Sequence, residues 1–138
     1  MANSVFLDTS GWLALLNAAD ARHGKAQQIW RDIVLGKREI VITDWIVAET
    51  GNGLARFYAK SRLLDALDRI VKNPRGRLVY VDDELLRRSL ERYGQYTDKH
   101  WGLVDCASFV VMEDRGISEA FTTDQHFEQA GFKRLLLP

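Results

Sequence analysis

No excess of charge of either sign marks this sequence. Its 19 basic and 19 acidic side chains cancel, so total charge does not single out a nucleic-acid binder, and any such surface has to be a local patch. Cysteine is almost missing: Cys106 is the single one, which excludes an internal disulfide framework and fits a reducing compartment, the cytoplasm. No apolar run approaches the roughly 20 residues that a membrane helix needs. The opening Met-Ala-Asn-Ser-Val-Phe-Leu-Asp has no basic region leading a long apolar stretch, so a soluble, unexported protein without a membrane partner is expected. Repeats, linkers and low-complexity stretches are also lacking. With 138 residues, 46% of them hydrophobic, the chain can bury one good core but not two, and residues 1–138 are expected to form a single domain.

What is present is an alternation of short apolar runs with longer segments of helical period, the pattern of an α/β domain on a parallel sheet. The runs Ser4–Leu7, Glu39–Thr43, Arg77–Val81 and Glu119–Thr122 read as strands, with Lys133–Leu137 a fifth at the end of the chain. Helices are expected at Ser10–Ala18 and Arg22–Leu35. After Ser61, a plausible N-cap, Leu63, Leu64, Leu67, Ile70 and Val71 fall at helical spacing until Asn73-Pro74 stops them. Asp83–Tyr96 follows, capped by Asp82 or Asp83, and then about Trp101–Arg115, with Gly116 placed to end it. Gly51 and Gly53 fall inside the helix after the second strand, where they predict either a bend or a close backbone approach.

Four acids stand out by position. Asp8 and Asp124 each follow an apolar strand run, at the sheet edge where α/β sites form. Glu49 sits among apolar neighbours on the helix after strand two, and Asp105 interrupts the nearly uncharged Trp-Gly-Leu-Val-Asp-Cys-Ala-Ser-Phe-Val-Val-Met. Helix capping, a solvated helix face or the helix dipole accounts for each acid alone, but not for four together. Gathered in one cleft, they would repel strongly unless protons or divalent cations neutralised them. An all-oxygen set, with no His or Cys at zinc spacing, favours Mg²⁺ or Mn²⁺. Such an ion activates water and offsets the charge that grows on a phosphodiester.

At these residues the chain resembles the PIN-domain ribonucleases, and among them the VapC-like toxins of toxin-antitoxin pairs. The shared features are the first Asp in Leu-Asp-Thr-Ser, the Glu after strand two, the third acid in Asp-Cys-Ala-Ser-Phe and the last in Thr-Thr-Asp-Gln-His-Phe, at intervals of 41, 56 and 19 positions. The resemblance spans essentially the whole chain. It implies a three-layer α/β/α sandwich with a parallel sheet ordered 3-2-1-4-5, and a metal-dependent endoribonuclease. Asp8 and Asp105 would be the most direct ligands of Mg²⁺ or Mn²⁺, with Glu49 and Asp124 completing the catalytic cluster. Thr9, Ser10, Ser108 and Thr123 would hold the carboxylates by hydrogen bonds. The implied partners are an RNA substrate (tRNA or rRNA), a cognate antitoxin that inhibits the toxin, and a second copy in a homodimer. An RNA-processing PIN nuclease and a non-catalytic PIN-like binding module are the alternatives.

Other residues have plainer readings. His23, His100 and His126 share no metal-ligand spacing, and of the three His126 lies nearest to an acid in sequence. Asp98 and Asp44 read as helix caps, and Trp12, Trp30, Trp45 and Trp101 as core or dimer interface. Lys60/Arg62, Arg75/Arg77, Arg87/Arg88 and Lys133/Arg134 read as solvated surface rather than RNA contacts, and Cys106 as a small buried residue. A haloacid-dehalogenase-like phosphatase needs a second Asp two residues after the first, where this chain has Ser10. A receiver domain needs an acidic pair after the first strand, and here Asp82-Asp83 follows the third.

Overall fold

The computed structural model describes residues 3–57 and 59–138. In chain order the elements are β1 (Ser4–Leu7), α1 (Thr9–Leu16), α2 (His23–Leu35), β2 (Glu39–Thr43), α3 (Asp44–Ala55) and α4 (Lys60–Lys72). They continue with β3 (Gly76–Val79), α5 (Asp83–Gln95), α6 (Leu103–Asp114), β4 (Glu119–Phe121), α7 (His126–Gln129) and β5 (Lys133–Arg134). The five strands form one sheet in the order β3-β2-β1-β4-β5, and every pair is parallel. This is the sheet expected.

Parallel neighbours need crossovers, and crossovers between parallel strands are right-handed. The steps β1 to β2 to β3 run one way across the sheet and send α1 to α4 to one face; the steps to β4 and β5 run the other way and send α5 to α7 to the opposite face. The packing agrees, with α1 against α2 and α3, α3 against α4, and α5 against α6. Helices on both faces leave the middle strands no contact with water. Val5, Phe6, Leu7, Val41, Ile42, Ala120 and Phe121 are all fully buried, which is why these runs are continuously apolar rather than alternating. Helix α6 is buried along Cys106–Met112, so its single early acid is conspicuous.

The direction of travel reverses between β1 and β4, with Val5, Phe6 and Leu7 level with Glu119, Ala120 and Phe121. Helix α1 leaves β1 so close to β4 that a Cβ on Gly11 would stand 2.1 Å from the Phe121 carbonyl oxygen. Only glycine fits there. Gly116, at φ +65, ends α6 in the left-handed conformation as expected.

Helix α3 is unbroken through Gly51 and Gly53: a Cβ on Gly51 would meet Leu63, and one on Gly53 Leu13, at 3.1 Å, so of the two expectations it is the close approach, by α4 and α1, that holds. Several boundaries differ from expectation. Helix α4 starts at Lys60 behind Ala59, with no side-chain cap, so Ser61 lies inside it. Strand β3 begins one residue early and ends at Val79, and β5 stops at Arg134. The chain still follows β4, with Leu135 and Leu136 donating to the carbonyls of Ala120 and Thr122. Asp98 caps nothing, since Gly102 precedes α6. Asp44 is not a cap either: Thr43 caps α3, and Asp44 accepts the Val81 amide at 2.8 Å, tying the ends of β2 and β3. Of the two candidates before α5, Asp82 is the cap. Among the described residues no helix is long and apolar enough to cross a membrane.

Candidate active site

Asp8 follows β1 and caps α1. Its Oδ2 accepts the Thr122 hydroxyl at 2.7 Å, the Ser10 hydroxyl at 2.8 Å and the Ser10 amide at 3.4 Å. Asp8 is 5% exposed, and burial pushes its pKa from 3.8 up to about 6. The hydrogen bonds from Thr122 and Ser10 oppose the rise, and the charges of Asp105 and Asp124 add to it. Asp105 lies in the first turn of α6, where its Oδ2 accepts the Gly102 amide at 3.1 Å and stands 3.0 Å from His126 Nδ1. Its pKa is also raised, first by burial and further by Asp124, against the Gly102 and His126 contacts.

Asp124 turns back on its own chain, its Oδ1 accepting the His126 amide at 2.9 Å, with Oδ2 3.4 Å from the His126 ring. Glu49 is exposed on α3 and accepts the Thr9 hydroxyl on Oε1 at 2.6 Å. Thr9 adjoins Asp8, so the two acids are linked through it. Asp8, Asp105 and Asp124 thus lie near enough for their charges to interact. Glu49 flanks Asp8 and lies outside the group that Asp105, Asp124 and His126 form, whose ligand atoms are all within 4.8 Å of one another.

The hydrogen bonds share a pattern. Each carboxylate has one oxygen occupied by protein donors: Oδ2 of Asp8, Oε1 of Glu49, Oδ2 of Asp105 and Oδ1 of Asp124. Among the described residues none donates to Asp8 Oδ1, Glu49 Oε2 or Asp105 Oδ1. One locked and one open oxygen, as in Asp8, Glu49 and Asp105, can orient a carboxylate toward a cation. The raised pKa values of Asp8 and Asp105 carry the same message, because unneutralised carboxylates so placed hold on to protons.

Of the four residues expected to hold the carboxylates, two hydrogen-bond to an acid by their side chains and two do not. Thr9 and Ser10 hold Glu49 and Asp8. Ser108 donates to the Val104 carbonyl at 2.9 Å within its own helix, and Thr123 contributes only main-chain atoms, its amide to Ser10 Oγ and its carbonyl to Arg134. The threonine that matters is Thr122, fully buried: it donates to Asp8 and accepts the Asp124 amide at 3.0 Å. His126 is the other residue that sequence reasoning set aside, and its position two residues after Asp124 was the available signal. His23 instead bonds the Ala14 carbonyl. Trp12 and Trp101 are core residues. Several of the basic residues read as surface are taken up in ion pairs, Arg87 with Glu91, Arg88 with Asp114 and Arg134 with Glu128.

Residues 5–133 match the family described as PIN domain. The chain belongs to the PIN-domain family. This PIN domain is 30% identical over 131 residues to the 23S rRNA-specific endonuclease VapC20 of Mycobacterium tuberculosis, in strains CDC 1551 / Oshkosh and ATCC 25618 / H37Rv alike, covering 93% of this chain and 95% of the relative. The crystal structure of M. tuberculosis VapC20, described as a sarcin-ricin loop cleaving toxin, superimposes on this PIN domain with a TM-score of 0.80 at 31% identity, over 93% of this chain and 95% of that one. The phosphatase and receiver readings fall away with that match.

Proposed function

We propose that this PIN domain is a VapC-type toxin, a divalent-metal-dependent endoribonuclease that hydrolyses a phosphodiester of large-subunit ribosomal RNA, with Asp8, Glu49, Asp105 and Asp124 as its catalytic acids. The observation that carries the reading is the set of carboxylates with one oxygen immobilised and the other open, in a chain alike over nearly its full length to an rRNA-cutting toxin. The residues fit a hard cation, since the donors are carboxylate oxygens and the local charge is negative, and Mg²⁺ or Mn²⁺ is the natural choice. Asp8 and Asp105 would hold the ion, with Glu49 and Asp124 beside them. When bound, it supplies a positive charge that activates water and stabilises the phosphorane-like transition state.

The chain's own groups do the rest. Ser10 and Thr122 keep Asp8 in one orientation, and burial denies water access to its locked oxygen. Gly102 and His126 do the same for Asp105, while the backbone of His126 fixes Asp124. Thr9 brings Glu49 to the rim, where an exposed carboxylate can take a proton from an incoming water.

An inhibitory antitoxin and a homodimer complete the proposal. A groove of about 480 Å³ between α1, α2 and α4, lined by Trp12, Leu15, Leu16, Trp30, Val34 and Ile70, offers an apolar seat for an antitoxin segment. The test is cleavage of a ribosomal RNA hairpin with Mg²⁺ or Mn²⁺. Activity is expected to vanish in EDTA and in Asp105→Ala, and expression of the wild type but not of Asp105→Asn is expected to arrest growth. Cleavage that persists in chelator would refute the metal mechanism.

A further inference from the structure

The connection between α5 and α6 carries a cluster that the acids do not use. Tyr93 in the last turn of α5, Tyr96 just after it and Trp101 enclose a hollow of about 460 Å³, whose wall Lys99, His100 and Gly102 complete. The rings of Tyr96 and Trp101 pack at 4.9 Å, Trp101 meets Phe109 edge-on at 5.1 Å, and its Nε1 donates to Gln129 Oε1 at 3.1 Å. That wall is therefore fixed to the core. Tyr93, on the same hollow, leaves 53% of its surface open.

The hollow borders the acids. Gly102, part of its wall, donates its amide to Asp105 Oδ2 at 3.1 Å. A rigid aromatic wall, an open ring and cationic or hydrogen-bonding groups at the edge suit a flat π-system attached to a negatively charged backbone. Among the described residues Lys99 has only a 3.5 Å contact with the largely exposed Asp98, a pair weak enough to leave its ammonium available.

We propose that this hollow binds one unstacked nucleobase of the RNA strand next to the phosphodiester that is cut. Tyr93 is its stacking platform, and Lys99 and His100 meet the adjoining phosphates. The proposal rests on the endoribonuclease reading and adds to it a subsite that requires the RNA to splay a base out.

The experiment compares wild type, Tyr93→Ala and Tyr93→Phe on a ribosomal RNA hairpin and on copies of it carrying one abasic nucleotide at each position in turn. Tyr93→Ala is expected to lose roughly tenfold, the order of one base-aromatic stack, with the loss falling on KM, and Tyr93→Phe to restore it. One abasic position beside the cut should impose a similar loss on wild type and none on Tyr93→Ala. Equal abasic penalties in both enzymes, or an unchanged KM in Tyr93→Ala, would overturn the subsite and leave the nuclease reading standing. A loss accompanied by a change of mass in light scattering would also overturn it, by making this face a subunit contact. Wild type that cuts no RNA would remove both readings.

Discussion

Replacing Asp8 by Asn keeps the shape of the side chain and an oxygen for Ser10 and Thr122 to donate to, and takes away the charge. The folded protein holds the Asp8 proton up to about pH 6, whereas the unfolded chain releases it near 3.8. Across that interval the folded state binds more protons, so stability falls as pH rises through it. A shift of about two units amounts to about 3 kcal/mol; about half of it has accrued by pH 5 and nearly all by pH 7. Asp8→Asn escapes this cost. In EDTA near pH 8 it is expected to be more stable than wild type by up to about 3 kcal/mol, or roughly 9 °C in melting temperature for a domain of this size. The advantage should shrink toward pH 5. Added Mg²⁺ or Mn²⁺ should raise the melting temperature of wild type, because the ion binds the folded form alone, and leave the variant where it was. Thermal unfolding followed by circular dichroism, with and without metal, reads all three effects. A variant that melts below wild type near pH 8, with the same pH dependence, would show that the buried carboxylate is not under the strain its surroundings imply.

Substitutions at three further positions probe the same centre. His126→Ala is expected to weaken Mn²⁺ binding by about tenfold in a calorimetric titration, the usual cost of losing a ligand's hydrogen-bonding partner, and His126→Asn to recover most of it, since its amide nitrogen can stand where Nδ1 stood. Thr122→Val removes a donor that lowers the Asp8 pKa, so the acid limb of the pH–rate profile should move to higher pH while the fold loses about 1 kcal/mol. Gly11→Ala would press a methyl against the Phe121 carbonyl and is expected to cost about 3 kcal/mol or more in urea unfolding, with activity lost as β4 is pushed from α1.

The sheet order could be anticipated because it rests on a pattern of the linear chain, continuous apolar runs for strands buried on both faces, and the same runs place Asp8 and Asp124 just beyond strand ends. What escaped depends on single-residue offsets or on packing between distant elements. Strand β4 ends at Phe121 rather than Thr122, and one position decides which of two adjacent threonines faces β1. Ser108 has the helical spacing to stand beside Asp105, yet a buried serine in a helix finds its partner most readily in its own preceding turn. The contact of His126 with Asp105 arises because α7 packs against the start of α6, and neither segment alone announces the other. Glu49 has apolar neighbours in sequence, but Ile46, Thr50 and Leu54 take the buried face of α3 and Glu49 is exposed.

Strand β4 enters the middle of the sheet, not an edge, and it does so after residues 1–118 have been synthesised. A chain still threading out of the ribosome holds Asp8 without Thr122 or Asp124 to face it, and products of interrupted translation lack the same half of the centre. If the centre acts as proposed, the growing polypeptide cannot cut RNA until β4 and the turn after it have been made. The order of synthesis thus places the closing of the centre after every other strand but β5.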